Sequence, residues 1–122
     1  MNARIRMKLI QLARTGRGTT TFQNLIHEAE LGLNLNNNHE KNLIQDILDE
    51  ISEDEHEQGR PLLSALVKIK GTQGQGDSFF KLAEELGIGE WRELKKDPEF
   101  VKKERKKVRK FWMDDFNFQS FV

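Results

Sequence analysis

The sequence contains no cysteine and only two prolines among its 122 residues. The lack of cysteine excludes disulfides, thiolate zinc sites and thiol nucleophiles, and it is typical of proteins in a reducing compartment. No apolar run approaches the ~20 residues of a membrane span. The basic residues near Met1 are not followed by the apolar stretch of a signal peptide. We therefore expect a soluble, cytoplasmic protein without membrane contact.

The length predicts one domain covering residues 1–122. With 36% hydrophobic and 33% charged residues, the chain can bury a modest core beneath a strongly polar surface.

The 20 basic and 20 acidic residues give a net charge of zero, but the two signs are segregated along the chain. Residues 1–18 carry five basic residues and no acid, residues 40–57 carry eight acids, and residues 101–110 carry seven bases. A basic face can attract phosphate even in a neutral protein. The other interpretation is that the blocks pair with one another or cover solvated helices.

Apolar spacing and end signals predict three helices in the first half of the chain. The first covers residues 3–14, and the second begins after a cap among Thr19–Thr21. The third begins at Asn37 and buries residues as far as Ile51. Ser52 and Glu55 resemble a capping box, which predicts a separate short acidic turn that ends at Gly59.

The second half predicts a strand, two helices and a second strand. Residues 62–70 alternate with one apolar face, which is typical of a strand. A glycine-rich loop, residues 71–76, precedes a helix capped by Asp77 or Ser78. Asp97-Pro98 predicts the start of a long basic helix. Alternation in residues 116–122 predicts an edge strand that pairs with residues 62–70.

This order predicts an α+β fold that is mainly α. It has a winged-helix-like tri-helical core, a short strand or hairpin and a long basic C-terminal helix. A second wing strand is missing from the pattern. A helical domain with a small two-stranded sheet is therefore the competing architecture.

The motifs argue against an enzyme. A phosphate-binding loop needs Lys and Ser/Thr after its last glycine, whereas Gly76 is followed by Asp77. Each histidine precedes a glutamate but lacks the second histidine of a zinc protease motif, and Ser64 lacks a nucleophile elbow. We expect no catalytic residue, no metal and no cofactor; a small hydrolase with an unrecognised site is the weakest option.

The leading hypothesis is nucleic-acid binding, to DNA or RNA, directed mainly at phosphates. The amides near Asn37 could reach base edges, but Asp46, Asp49 and Glu50 on the same helix would repel phosphates. Thr72, Gln73 and Gln75 are candidate loop contacts. The candidate basic residues are Arg4, Arg6, Lys8, Arg14, Lys68, Lys70, Lys102, Lys103, Lys106, Lys107, Arg109 and Lys110.

The alternative is a protein-binding module, such as an inhibitor, immunity or defence-related factor, or a homodimer. It would use the acidic face at residues 46–57, which could mimic nucleic acid, and the aromatic tail, which could form an apolar contact. Its candidate residues are Asp46, Asp49, Glu50, Phe116, Phe118 and Phe121.

The segment RPLLSALV at residues 60–67, with the glycine loop and FFKLAEELG at residues 79–87, resembles a pattern in uncharacterised bacterial and phage proteins. The resemblance covers residues 9 to about 112 and implies one compact domain without implying an activity. TTTFQNLI at residues 19–26 resembles the helix opening of the alkyltransferase-like winged helix. The reactive cysteine of that family is missing, so its methyl transfer does not carry over.

Overall fold

A computed structural model describes residues 2–122 and contains seven α-helices and one 3₁₀ turn in that range. None of these helices is both long and apolar enough to cross a membrane. The elements are α1 Ala3–Arg14, α2 Phe22–Glu28, α3 Asn38–Glu57, the 3₁₀ turn Leu63–Leu66, α4 Asp77–Glu85, α5 Trp91–Lys96, α6 Pro98–Met113 and α7 Asp115–Phe121.

Side-chain caps begin several helices at the predicted places. Thr21 Oγ1 accepts a hydrogen bond from the Asn24 amide at the start of α2. Asn37 caps α3 in the same way, and Asp97 caps α6, with Pro98 at its first position. These three starts confirm the sequence predictions. At α4 the capping position is Gly76, which has no side chain to donate or accept.

The predicted strand over residues 62–70 is wrong. Leu62 to Val67 are all buried, and the 3₁₀ turn within them packs against α1, α3 and α6. Because the segment is covered on every side, its alternation did not mark one buried face. A single isolated bridge joins Thr20 and Val67, and no sheet occurs in residues 2–122. The protein is therefore a helical bundle and not a winged helix.

The predicted edge strand over residues 116–122 is also wrong, because these residues lie largely in α7. Asp114 Oδ1 accepts a 2.9 Å hydrogen bond from the Asn117 amide, and the Phe118 amide donates to the Asp114 carbonyl. This acidic cap starts a helix that packs on α6. Neither the α+β fold nor the competing architecture with a small sheet is present.

The third helix is longer than predicted, because it continues through the expected acidic turn to Glu57. Ser52 and Glu55 are completely buried, so they do not form a capping box. Ser52 Oγ lies 2.7 Å from Ser64 Oγ, which fastens α3 to the 3₁₀ turn. The core combines side chains from α1, α3, the 3₁₀ turn and α6: Ile5, Leu9, Ile10, Ile44, Leu48, Ile51, Leu63, Leu66, Val108 and Trp112.

Candidate nucleic-acid interface

Arg6 of α1 is buried and is fully engaged within the chain. Its Nε donates to Glu55 Oε1 at 2.6 Å, and its two terminal nitrogens donate to the carbonyls of Val122 and Phe121 at 2.9 and 2.8 Å. Its guanidinium carbon lies 5.4 Å from the centre of the Trp112 ring. Arg6 therefore joins α1 to α3 and α7 and does not reach the surface.

Arg60 completes this buried cluster from the other side. Its Nε donates to Glu55 Oε2, so each carboxylate oxygen of Glu55 holds one arginine. Glu55 is 0% exposed. A carboxylate removed from water in this way needs partners to offset its desolvation, and the two guanidinium groups supply them.

The other basic residues of α1 divide between contacts and solvent. Arg14 donates to the Trp112 carbonyl and to Asp115 Oδ1, both at 2.8 Å, and lies 4.2 Å over the Phe118 ring. Arg4 is exposed and donates to the Ala29 carbonyl at 3.0 Å, while Lys8 is half-buried. Arg4 and Lys8 are therefore the two basic residues of α1 whose charge is still open to an anionic partner.

Helix α6 presents its lysines to solvent along one side. At 3.6 residues per turn these positions span about 140° of the helix surface. The opposite side carries Val108 and Trp112, which are buried, so the lysine side faces away from the core. We call this surface the lysine face; it comprises Lys102, Lys103, Lys106, Lys107 and Lys110, all exposed.

The lysine face is only partly neutralised by acids. Lys102 lies 3.8 Å from Glu99 and Lys107 lies 4.0 Å from Glu104, distances at which exposed pairs contribute little. The other three lysines of the face have no carboxylate within ion-pair distance in the described chain. Their charge is available to an anionic partner.

The two lysines just before the glycine loop lie in a groove of about 630 Å³ between α2, α3 and that loop, and no residue of α6 lines this groove. Lys68 and Lys70 line it together with Lys41 from the first turn of α3. Asp77 also lines the groove, and its pKa is lowered by a hydrogen bond from Lys95 at 2.6 Å. The groove thus has three lysines and one acid with its own partner.

The glycine loop is held by one contact within it and by several with neighbouring segments. Gly71 has a φ of +83°, a conformation that favours glycine. Thr72 Oγ1 donates to the Ile69 carbonyl and accepts from the Gly74 amide. Gln75 Nε2 donates to the carbonyls of residues 64 and 65. The hydroxyl of Thr72 and the amide nitrogen of Gln75 already have partners inside the chain, whereas Gln73 is exposed.

Two charged residues of α6 were missed by the sequence reasoning, namely Glu104 and Arg105. Both are 7% exposed. Glu104 accepts from the Leu62 amide at 2.9 Å, and Arg105 Nε donates to the Ala65 carbonyl at 2.7 Å. Their helical phase gives the signal that could have found them, because Arg105 precedes Val108 by three residues and Trp112 by seven.

The acidic candidates on α3 differ in their surroundings. Asp46 and Glu50 are exposed, whereas Asp49 is partly buried. The pKa of Asp49 is raised to about 6, mainly by burial and further by the nearby charge of Glu53. A 2.9 Å hydrogen bond from Gln45 acts in the opposite direction and lowers the pKa.

The three aromatic candidates of α7 differ in exposure. Phe116 is 71% exposed. Phe118 packs against the core beneath Arg14. Phe121 is 42% exposed, and its ring centre lies 6.0 Å from that of Phe111.

No group of three or more His, Asp or Glu side chains in residues 2–122 is arranged to hold a metal ion. Comparisons with protein-family models, with curated proteins and with solved structures gave no match.

Proposed function

We propose that this protein is a non-enzymatic binding module that contacts the phosphate backbone of DNA or RNA through the lysine face of α6. The observation that carries the proposal is the set of three lysines on this face, Lys103, Lys106 and Lys110, that have no carboxylate partner in residues 2–122. Lysines are flexible point charges, so they suit phosphate contacts without base-specific geometry.

The groove between α2, α3 and the glycine loop is a second basic patch, with Lys41, Lys68 and Lys70 along it. Arg6 and Arg14 are not part of the proposed interface, because their guanidinium groups are committed to carbonyls and carboxylates within the chain. The proposed interface therefore contains fewer basic residues than the sequence alone suggested.

The test is binding of labelled single- and double-stranded DNA and RNA, each titrated with salt. The variant Lys106→Gln/Lys110→Gln removes two charges from the lysine face. The matched control Arg92→Gln/Lys96→Gln removes two exposed charges from α5, so the net charge changes equally. We expect affinity about tenfold lower for the first variant, with a salt slope smaller by about 2.

The control should keep its affinity within about twofold, because only the general field changes. Absence of binding at low salt, or equal losses in both variants, would contradict the proposal. The double variant Lys68→Gln/Lys70→Gln then reports whether the groove contributes.

A second candidate function is protein binding at the α6–α7 junction. It is favoured by the exposure of two large apolar side chains there, Met113 at 51% and Phe116 at 71%. A monomeric sedimentation profile that is unchanged in Phe116→Ser would count against a homodimer, and a Phe116-dependent association would favour it.

A further inference from the structure

Two arginines of α6, Arg105 and Arg109, lie one turn apart. Arg105 contacts the glycine loop, and Arg109 contacts the loop between α1 and α2. Arg105 is 7% exposed, and its Nη1 donates to the Gln73 carbonyl of the glycine loop at 2.8 Å. Arg109 Nη2 donates to the Gly18 carbonyl at 2.7 Å. With the contact from Arg105 to Ala65, all their acceptors are neutral carbonyls.

No carboxylate within residues 2–122 lies at ion-pair distance from either guanidinium. This differs from the cluster around Glu55, where one carboxylate serves Arg6 and Arg60. Burial lowers the pKa of Arg105, and the charge of Arg109 lowers it further. The pair is therefore a partly desolvated double positive charge without an internal counter-charge.

Each arginine also keeps one buried N–H without an acceptor. Nη2 of Arg105 and Nε of Arg109 have no hydrogen-bond partner in the described chain. Buried donors are nearly always paired in proteins, so two unpaired donors on neighbouring guanidiniums call for an explanation. An acceptor-rich anion would satisfy both donors and both charges.

We infer that Arg105 and Arg109 form a binding site for one phosphate group. A phosphate offers several oxygen acceptors. The planar fork of a guanidinium group can bond two of these oxygens at once, whereas an ammonium group acts as a point charge. The inference rests on the proposed function, in that the phosphate would belong to the backbone of the nucleic acid bound on α6. Free phosphate has the same chemistry as a backbone phosphate, so the experiment below compares inorganic phosphate with an oligonucleotide.

The glycine loop contacts this site through one hydrogen bond to Arg105. Residues 71–74 are exposed, and the contact of Gln73 with Arg105 is a hydrogen bond between the loop and α6. Arg105 Nη2 and Arg109 Nε are both buried, so a phosphate reaches them only after a movement of the chain, and we expect the glycine loop to move aside at its contact with Arg105 Nη1. The glycines of the loop permit such a movement.

The experiment observes the arginine Nε–Hε signals of the full chain by ¹⁵N-edited NMR. Two probes are added at constant ionic strength, with sodium chloride as the balancing salt: inorganic phosphate, and a thymidine oligonucleotide of four residues. We expect a saturable displacement of the Arg109 signal with the oligonucleotide. The exposed Arg92 of α5 is the internal reference and should not saturate.

The variant Arg109→Lys keeps the charge but removes the fork and the unpaired Nε. This variant should bind phosphate about tenfold more weakly or worse, as measured by the shift of the Arg105 Nε–Hε signal. The matched control Arg92→Lys should bind phosphate as the wild type does. Arg109→Lys is preferred to a change at Arg105, because Arg105 also holds the glycine loop. Unchanged binding in Arg109→Lys would overturn the inference.

The outcomes separate the inference from the proposed function. If oligonucleotides bind through Lys106 and Lys110 while the Arg109 signal stays in place, the inference fails and the proposed function remains. If inorganic phosphate saturates the site but no oligonucleotide does, the phosphate site remains and its link to nucleic acid is overturned. If neither probe displaces the Arg109 signal, there is no phosphate site.

Discussion

Helices α1 and α6 both carry several basic side chains, but they use them differently. In α1, Arg6 and Arg14 donate to carbonyls and carboxylates of α3, α6 and α7. In α6, five lysines remain exposed, while the two arginines turn toward carbonyls of the neighbouring loops. Side-chain type therefore separates the two roles: the planar fork of arginine fastens elements, and the ammonium of lysine stays hydrated.

The largest effect is expected at Glu55, which accepts a hydrogen bond from Arg6 of α1. We expect Glu55→Gln to lower the free energy of unfolding by about 3–5 kcal/mol, because Arg6 and Arg60 would keep buried charges without a counter-charge. Urea denaturation measures the effect. Glu57→Gln, exposed in the same helix, should change it by less than about 0.5 kcal/mol, and similar losses in both would contradict the buried cluster.

A conservative change at Arg14 tests whether the guanidinium group itself is needed in α1. Arg14→Lys keeps the charge but cannot bond both the Trp112 carbonyl and Asp115 with one planar group. We expect a loss of about 1–2 kcal/mol in the free energy of unfolding. Lys103→Arg on the lysine face is the control, and it should be neutral. If the two exchanges had equal effects, arginine would not be acting as a fastener in α1.

Asp49 tests what a partly buried charge does without a cationic partner. Its folded pKa of about 6 lies above its ordinary value of 3.8, so folding favours the protonated form. The resulting stabilisation is complete below about pH 4 and is lost as the pH rises through 6.

Asp49→Asn should therefore be more stable than the wild type at pH 7 by about 1 kcal/mol, a figure reduced for solvent screening of a partly exposed group. The difference should vanish below about pH 4. Thermal unfolding at several pH values measures it, with the exposed Asp46→Asn as control. A gain that does not depend on pH would count against the raised pKa.

The smallest effect is expected on the lysine face. Lys103→Gln should change the free energy of unfolding by less than about 0.5 kcal/mol, because the side chain is exposed and has no ion-pair partner within residues 2–122. Denaturation in low and high salt measures this. A larger, salt-dependent loss would show that the face stabilises the fold.

Local signals in the sequence predicted much of the helical order. The caps at Thr21, Asn37 and Asp97 act over three or four residues, so they can be read without knowledge of the tertiary structure. The segment at 62–67 could not be predicted in this way, because it is buried and its central turn is covered by α1, α3 and α6. Periodicity does not separate a strand from another buried segment there.

The charged residues were harder to assign, since the sequence reasoning grouped them by composition. Arg6 is three and four residues before Leu9 and Ile10, which puts it on the buried side of α1. Glu55 follows Ile51 by four residues in the same way. Helical phase could therefore have predicted their burial, whereas their pairing across 49 positions depends on the tertiary fold.

The arginines of α1 also bear on how the chain folds. The contacts of Arg6 with α7 join residues 115 and 116 positions apart, and those of Arg14 span 98 and 101. Long loops add little to the equilibrium cost of closure, since each doubling costs about 0.6 kcal/mol, but contacts so distant along the chain slow folding. We expect α1 and α7 to dock after the transition state, so weakening Arg14 should accelerate unfolding and leave the folding rate nearly unchanged.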